Sequence, residues 1–293
     1  MSKPITKAVI PAAGLGTRML PIAKAVPKEM LPIVDRPALS YLVEEAVASG
    51  ITDILIITGR GKGAIEDYFD YSPEYDQKLL ASGKSALVDE LHAICNAANI
   101  SFIRQKETRG LGHAVACARA FVGDDPFVVM YGDDIIFSEV PATKQLMDAY
   151  ARYGLGAAAV KAVPDELVCK YCSLKAEPIP GSDRDWHVTD MIEKPRPEQI
   201  WTNLSILGRV LLPPDIFDIL GQTPPGAGGE IQLTDAMRTL ARRDGMTAVD
   251  FEGERFDLGS KLGLMMANVT RAAVHPEIGA EFRAFLKEFA AKL

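Results

Sequence analysis

Residues 12–32 read AAGLGTRMLPIAKAVPKEMLP and bring two glycines together with three cations. Gly14 and Gly16 carry no side chain, so backbone N–H groups there can face an anion closely. Arg18, Lys24 and Lys28 add positive charge to the same loop. Such a loop suits a polyanion like a nucleoside triphosphate. Ala8-Val9-Ile10 forms an apolar run ending at Pro11 before it, and an amphipathic segment starts near Pro37. Strand, glycine loop and helix is the order of a phosphate-binding α/β unit. Two other phosphate loops do not fit. No G-x-x-x-x-G-K-[ST] string follows, and Met19 stands where a dinucleotide fingerprint has its third glycine. A bare G-x-G can also be an ordinary strand-to-helix turn, but the cations argue against that here.

Three further groups could do chemistry. Asp133 and Asp134 follow the apolar run Phe127–Tyr131 through Gly132. A carboxylate just past a buried strand is a natural ligand for Mg²⁺, which shares oxygen ligands with substrate phosphates. Gln105 and Gly110 lie five apart; the amide offers a donor and an acceptor, as a uracil edge requires, and the glycine lets a base approach the backbone. Glu193 and Lys194, in Ile192-Glu193-Lys194-Pro195, offer a carboxylate for vicinal hydroxyls and a point charge for a phosphate. Each of these is also compatible with a solvated turn or a surface ion pair.

The elements that must position these groups alternate. Ala38–Ser49 is predicted as a helix stopped by Gly50, and Ile54–Ile57 as a buried parallel strand. Ser101–Arg104 and Phe127–Tyr131 are further strands, with a helix over Gly112–Phe121 between them. The pattern predicts a Rossmann-like α/β fold, with a doubly wound, mixed and mostly parallel sheet whose loops gather at one edge. After about residue 155 short extended stretches appear: 157–162, 171–175, 188–192 and 204–211. Helices are expected over 232–243 and 260–270, and residues 70–90 read as a mobile loop with short helices. The tail 276–293 is amphipathic and either packs on its own domain or meets a partner subunit.

With 293 residues and 48% apolar composition, the chain can bury a large core. A net charge of −7 argues against nucleic-acid binding, so anionic substrates must be met by local cations. No apolar run is long enough for a membrane span and no apolar signal region opens the chain, so a cytoplasmic location is expected. Four cysteines in a chain of this size imply no disulfide framework. Cys169 and Cys172 form a C-x-x-C that lacks the second pair a structural zinc would need. There is no Ser-His-Asp pattern and no H-E-x-x-H helix.

With G-x-G-T-R followed by Lys28-Glu29-Met30-Leu31-Pro32, the chain resembles the sugar-phosphate nucleotidyltransferases, and among them the bacterial UTP–glucose-1-phosphate uridylyltransferases. The resemblance extends through the Glu193-Lys194-Pro195, Asn203-Leu204 and Gly208-Arg209 run. It reaches Pro224-Pro225-Gly226-Ala227-Gly228-Gly229-Glu230-Ile231-Gln232-Leu233-Thr234-Asp235 and Asp257-Leu258-Gly259-Ser260-Lys261-Leu262-Gly263. It implies one domain over 1–293, with a nucleotide-binding half (1–155), a sugar-binding half with a β subdomain (156–259) and C-terminal helices (260–293). It implies nucleotide binding by Ala12, Ala13, Gly14, Gly16, Glu29, Gln105 and Gly110. Arg18, Lys28 and Lys194 would be catalytic; Cys172, Glu193, Lys194 and Asn203 would face the sugar; Asp133 and Asp257 would hold Mg²⁺. Cys172 departs from the family, which has glycine there, and its side chain is expected beside the sugar. Ser260 replaces the usual Asn and can cap the helix that follows.

The implied reaction joins UTP and glucose 1-phosphate into UDP-glucose and pyrophosphate, with no nucleic acid or membrane as partner. A homo-oligomer, dimer or tetramer, is expected. Rival readings are a glucose-1-phosphate thymidylyltransferase and a non-catalytic regulatory paralogue that binds nucleotide sugars. A Rossmann dehydrogenase fits least, because no acidic residue stands at a strand end about 20 residues past the loop.

Overall fold

Alternating apolar runs and amphipathic helices build one large sheet with helices on both faces. The computed structural model describes residues 3–293. The strands are β1 (Lys7–Pro11), β2 (Pro32–Ile33), β3 (Arg36–Pro37), β4 (Asp53–Thr58), β5 (Asn99–Arg104), β6 (Phe127–Met130) and β7 (Asp134–Phe137). They continue with β8 (Ala157–Ala162), β9 (Cys172–Pro178), β10 (Asp185–Glu193), β11 (Leu204–Leu212), β12 (Met246–Asp250) and β13 (Glu254–Asp257). Nine of them form a sheet in the order β5-β4-β1-β6-β11-β8-β12-β10-β9. β10 and β11 run against the rest, so the sheet is mixed and mostly parallel, as the sequence predicts. β8 to β12 of the second half continue this same sheet, while β13 pairs with β7 outside it.

Continuous apolar runs arise because both faces are covered. Along β4, Ile54 and Ile56 enter one core while Leu55 and Ile57 enter the other. Ile10 and Val9 of β1 divide in the same way. Helices Ala38–Ala48 and Ala142–Tyr153 close the first core with Leu39, Leu42 and Leu146. Helices Leu111–Ala116 and Leu233–Asp244 close the second with Val115 and Leu240.

Three local readings change. The helix expected over 112–121 splits into Leu111–Ala116 and Arg119–Val122. At the join, the N–H groups of Cys117 and Ala118 turn to carbonyls three residues back, Ala114 and Val115, which tightens the turn. The stretch 70–90 has the expected short helices, Pro73–Ala81 and Ser85–Cys95, but only a short turn at Gly83 between them in place of a mobile loop. Its polarity reflects exposure, since Val88 is the one buried residue of those two helices. Asp134 does not lie in a turn after β6. It opens β7, which pairs antiparallel with β13 so that Asp134 faces Asp257. That ribbon brings the late Asp257 segment beside the end of β6. The chain ends in helices Lys261–Val274 and Gly279–Ala290. Among the described residues, no helix is long and apolar enough to cross a membrane.

Candidate active site

β4 and β5 lie to one side of β1 and β6 to the other, so strand order reverses between β1 and β6. Loops leaving an open α/β sheet diverge at such a point and leave a crevice at the strand C-termini. A cleft of about 420 Å³ lies there, lined by Pro11 and Ala13–Thr17 at and after the end of β1 and by Tyr131–Asp133 from the loop after β6.

The glycine loop is pinned from below. The Ala12 N–H donates to the Ile57 carbonyl at 2.8 Å, and Lys62 Nζ donates to the Ala12 carbonyl. Lys62 also holds both carboxylate oxygens of Glu29, at 2.9 and 2.8 Å. Burial pushes Glu29 up and Lys62 down, each against the pull of the other's charge. Glu29 therefore braces the loop through Lys62. Gly14 stands open, and Gly16 takes a left-handed turn at φ 67° that starts the short helix Thr17–Met19. Arg18 is exposed over the cleft mouth, while Lys28 is half-buried within it.

The two carboxylates that the sequence places 124 residues apart meet at this point. Arg18 reaches both, at 3.8 Å to Asp133 and 3.6 Å to Asp257. Lys28 Nζ donates to Asp133 at 2.5 Å. Burial opposes the charge on Lys28, but Asp133 beside it prevails and raises its pKa. Burial likewise works against the Asp133 carboxylate, and Lys28 and Arg18 together lower it. Ser260, not Asp257, caps the last long helix pair's first member, its Oγ accepting from the Gly263 N–H at 3.0 Å. Asp257 is thereby left to accept from the Gly259 N–H at 2.8 Å and to face Asp133. Gly259 fills the gap between them: a Cβ there would stand 2.8 Å from an Asp133 oxygen and 2.9 Å from an Asp257 oxygen. Two hard carboxylates converging on so small a space suit a divalent cation completed by phosphate and water oxygens. Among the described residues, no group of three or more protein ligands forms a closed metal cage.

The opposite wall carries an amide and a glycine, with Glu230 packed beside them. Gln105 is buried, and its Nε2 donates to the Gly110 carbonyl at 3.2 Å and contacts His113 Nδ1 at 2.9 Å. Gly110 sits at φ 103°, where a Cβ would come within 2.7 Å of Glu230 Cβ and 2.8 Å of the Ile231 carbonyl. Its glycine is thus demanded by backbone conformation and by packing.

The residues expected on the sugar side gather at the adjoining end of β9, β10 and β11. Glu193 and Cys172 are register partners. Lys194 follows at φ 47°, a left-handed conformation uncommon for lysine, with its N–H on the Tyr171 carbonyl at 2.7 Å. Burial raises Glu193, while a hydrogen bond from Thr234 and the Lys194 charge pull it down. Tyr131 joins this end to the cleft: burial first, then Glu193, Cys172 and Asp134, hold its hydroxyl well above the usual range. Asn203 lies exposed at the start of β11. The Cys172 thiol points into the core, where the Ile206 N–H donates to Sγ at 3.2 Å and burial pushes the thiol up to about 12. It is wall rather than an open sugar contact.

Sequence reasoning missed Lys62, Tyr131 and the partners of Asp134. Thr58-Gly59-Arg60-Gly61-Lys62, a second glycine loop after a strand, was the available signal for Lys62. Asp134 pairs with Arg255, whose guanidinium stacks 5.6 Å over the Tyr171 ring.

A family model described as Nucleotidyl transferase matches residues 7–273. The chain belongs to the nucleotidyl transferase family. This nucleotidyl transferase is 49% identical over 288 residues to the UTP–glucose-1-phosphate uridylyltransferase YngB of Bacillus subtilis (strain 168), covering 98% of this chain and 96% of that one. It superposes on a UTP-bound UGPase from Acinetobacter baumannii with TM-score 0.90 and 38% identity, covering 97% and 99% of the two chains. It also superposes on a UDP-glucose pyrophosphorylase complexed with UDP-glucose, with TM-score 0.83 and 40% identity, covering 91% and 98%.

Proposed function

We propose that this nucleotidyltransferase transfers the uridylyl group of UTP to glucose 1-phosphate, giving UDP-glucose and pyrophosphate. The carrying observation is that Asp133 and Lys28 pair in a nucleotide-sized cleft while Arg18 joins Asp133 to Asp257 beside it. An oxygen of the sugar phosphate attacks the α-phosphorus, and the bond to the β-phosphate oxygen breaks. The attacking phosphate has a second pKa near 6 and is already largely a dianion, so no general base is required. That agrees with a site whose one half-buried imidazole serves an amide. Mg²⁺ held by Asp133 and Asp257 would supply the charge that lets two anions meet. Arg18 and Lys28 stabilise charge on the departing pyrophosphate. Lys194 holds the incoming phosphate and Glu193 accepts from sugar hydroxyls, with Asn203 and the Cys172 wall beside them. Ala12, Ala13, Gly14 and Gly16 carry the triphosphate, with Glu29 bracing them, while Gln105 and Gly110 meet the base.

In this reading, residues 1–155 serve the nucleotide, 156–259 the sugar, and 260–293 form a contact between copies of the chain in a dimer or tetramer. The exposed Phe285 and Phe289 support that contact. Pyrophosphate release with UTP, dTTP and a panel of sugar 1-phosphates tests the function. Preference for dTTP would favour the thymidylyl reading, and no turnover with any pair would favour a binding paralogue.

A further inference from the structure

We propose that His113 is a positioning residue that aims the Gln105 amide, so that its oxygen rather than its nitrogen faces the pyrimidine. The inference rests on Gln105 being the base-reading residue. A carbonyl oxygen can only accept, so the atom of Gln105 that faces the Gly110 carbonyl at 3.2 Å must be the amide nitrogen. The same nitrogen stands 2.9 Å from His113 Nδ1, which must then be the bare, accepting nitrogen of a ring protonated at Nε2. Both amide hydrogens are thereby committed. Gln105 Oε1 has no hydrogen-bond partner among the described residues, and Gln105 lines the cleft.

This fixes what the wall can read. Uracil presents an N3–H donor, which an outward oxygen attracts. Cytosine presents a bare N3, whose lone pair that oxygen repels. The Gly110 carbonyl cannot drift, because its residue is wedged against Glu230 and Ile231. His113 rides on helix Leu111–Ala116, whose Gly112 N–H is tied to the Ile231 carbonyl at 2.8 Å, so the ring is carried by the same packed unit. Without the ring, the shorter of the two bonds is lost and only the longer bond to the Gly110 carbonyl still holds the amide nitrogen inward, so the amide turns its nitrogen to the base more often. Rejection of cytosine is thus built one layer behind the residue that meets the base.

Nitrogen NMR of the wild-type imidazole should show Nε2–H with Nδ1 bare; the opposite tautomer overturns the proposal whatever the variants do. In kcat/KM, His113→Phe should lower the UTP-to-CTP ratio by at least about tenfold, while His113→Asn, which restores an acceptor near Nδ1, should hold it within about threefold. A folded Phe variant that slows both nucleotides equally, leaving the ratio intact, assigns His113 a merely structural role and overturns the inference. Gln105→Ala separates the two readings. If it too leaves the ratio intact, the base-reading assignment falls and this inference with it. If it lowers the ratio while His113→Phe does not, only the role of His113 falls.

Discussion

The two walls of the cleft solve recognition differently. The base wall reads through neutral groups: Gln105, His113 and Gly110 satisfy one another and leave one acceptor outward. The phosphate wall is ionic, with Asp133 shared between Lys28 and Arg18, and Arg18 shared in turn with Asp257. Neutral groups hold a fixed pattern and so read identity. Ions that share partners can exchange them for phosphate oxygens and so serve charge that moves during reaction. Losses on the ionic side should appear as turnover or stability, and on the neutral side as selectivity.

The largest effect should come from the ion pair under the phosphate wall. Glu29 and Lys62 are both pushed toward their neutral forms by burial, so the cost of burying the two charges offsets much of their attraction. Removing one alone leaves the other's charge buried. Lys62→Met should cost about 3–5 kcal/mol in urea unfolding, and the double variant with Glu29→Leu should recover most of it. A double variant as unstable as the single would mean that the pair itself holds the loop.

Next comes the carboxylate at the cleft's centre. Asp133→Asn should cut turnover at least about 10²-fold at saturating Mg²⁺. Turnover within a few-fold of wild type would remove the ionic wall from the chemistry. The two lysines should then divide. Lys28→Ala should impair the UTP side, in turnover as well as in KM, and Lys194→Ala the glucose 1-phosphate side, each by the about 1.5–3 kcal/mol of a charged hydrogen bond. If Lys194→Ala moved the UTP term alone, the sugar side would be misplaced.

Much of this was legible beforehand, for reasons that differ between regions. The phosphate loop, the parallel strands and helices around it and the Gln105–Gly110 spacing are local patterns, and local patterns survive in one dimension. Asp257 was reached only through resemblance. Its neighbour relation to Asp133 depends on β7 pairing with β13, two four-residue strands far apart in sequence. Lys62 and His113 were unreadable in role because each acts on a residue brought near by folding. The split of helix 111–122 turns on which carbonyl each N–H takes at Cys117 and Ala118, which no residue type announces, while the polarity of 70–90 marks exposed helix surface rather than a mobile loop.

Cys172 gives the smallest effect at neutral pH and the sharpest test of what a neutral wall does. Its thiol is buried with an N–H on sulfur, so it belongs to the fold more than to the sugar. Cys172→Ala should cost about 1 kcal/mol near pH 7, the worth of one neutral hydrogen bond. KM for glucose 1-phosphate should stay close to wild type; a large rise would return the thiol to the sugar. The pH dependence has a definite sign. Burial raises the folded thiol from its ordinary 9.0 to about 12, so the unfolded chain gives up this proton first. The contribution of Cys172 is therefore complete below pH 9 and fades as pH rises toward 12, by about 1.4 kcal/mol per unit. A wild-type advantage of about 1 kcal/mol is exhausted within one unit at that slope. The stability curves of wild type and Cys172→Ala should cross just above pH 9, with the variant the more stable beyond. Parallel curves through pH 11 would place the thiol in contact with water.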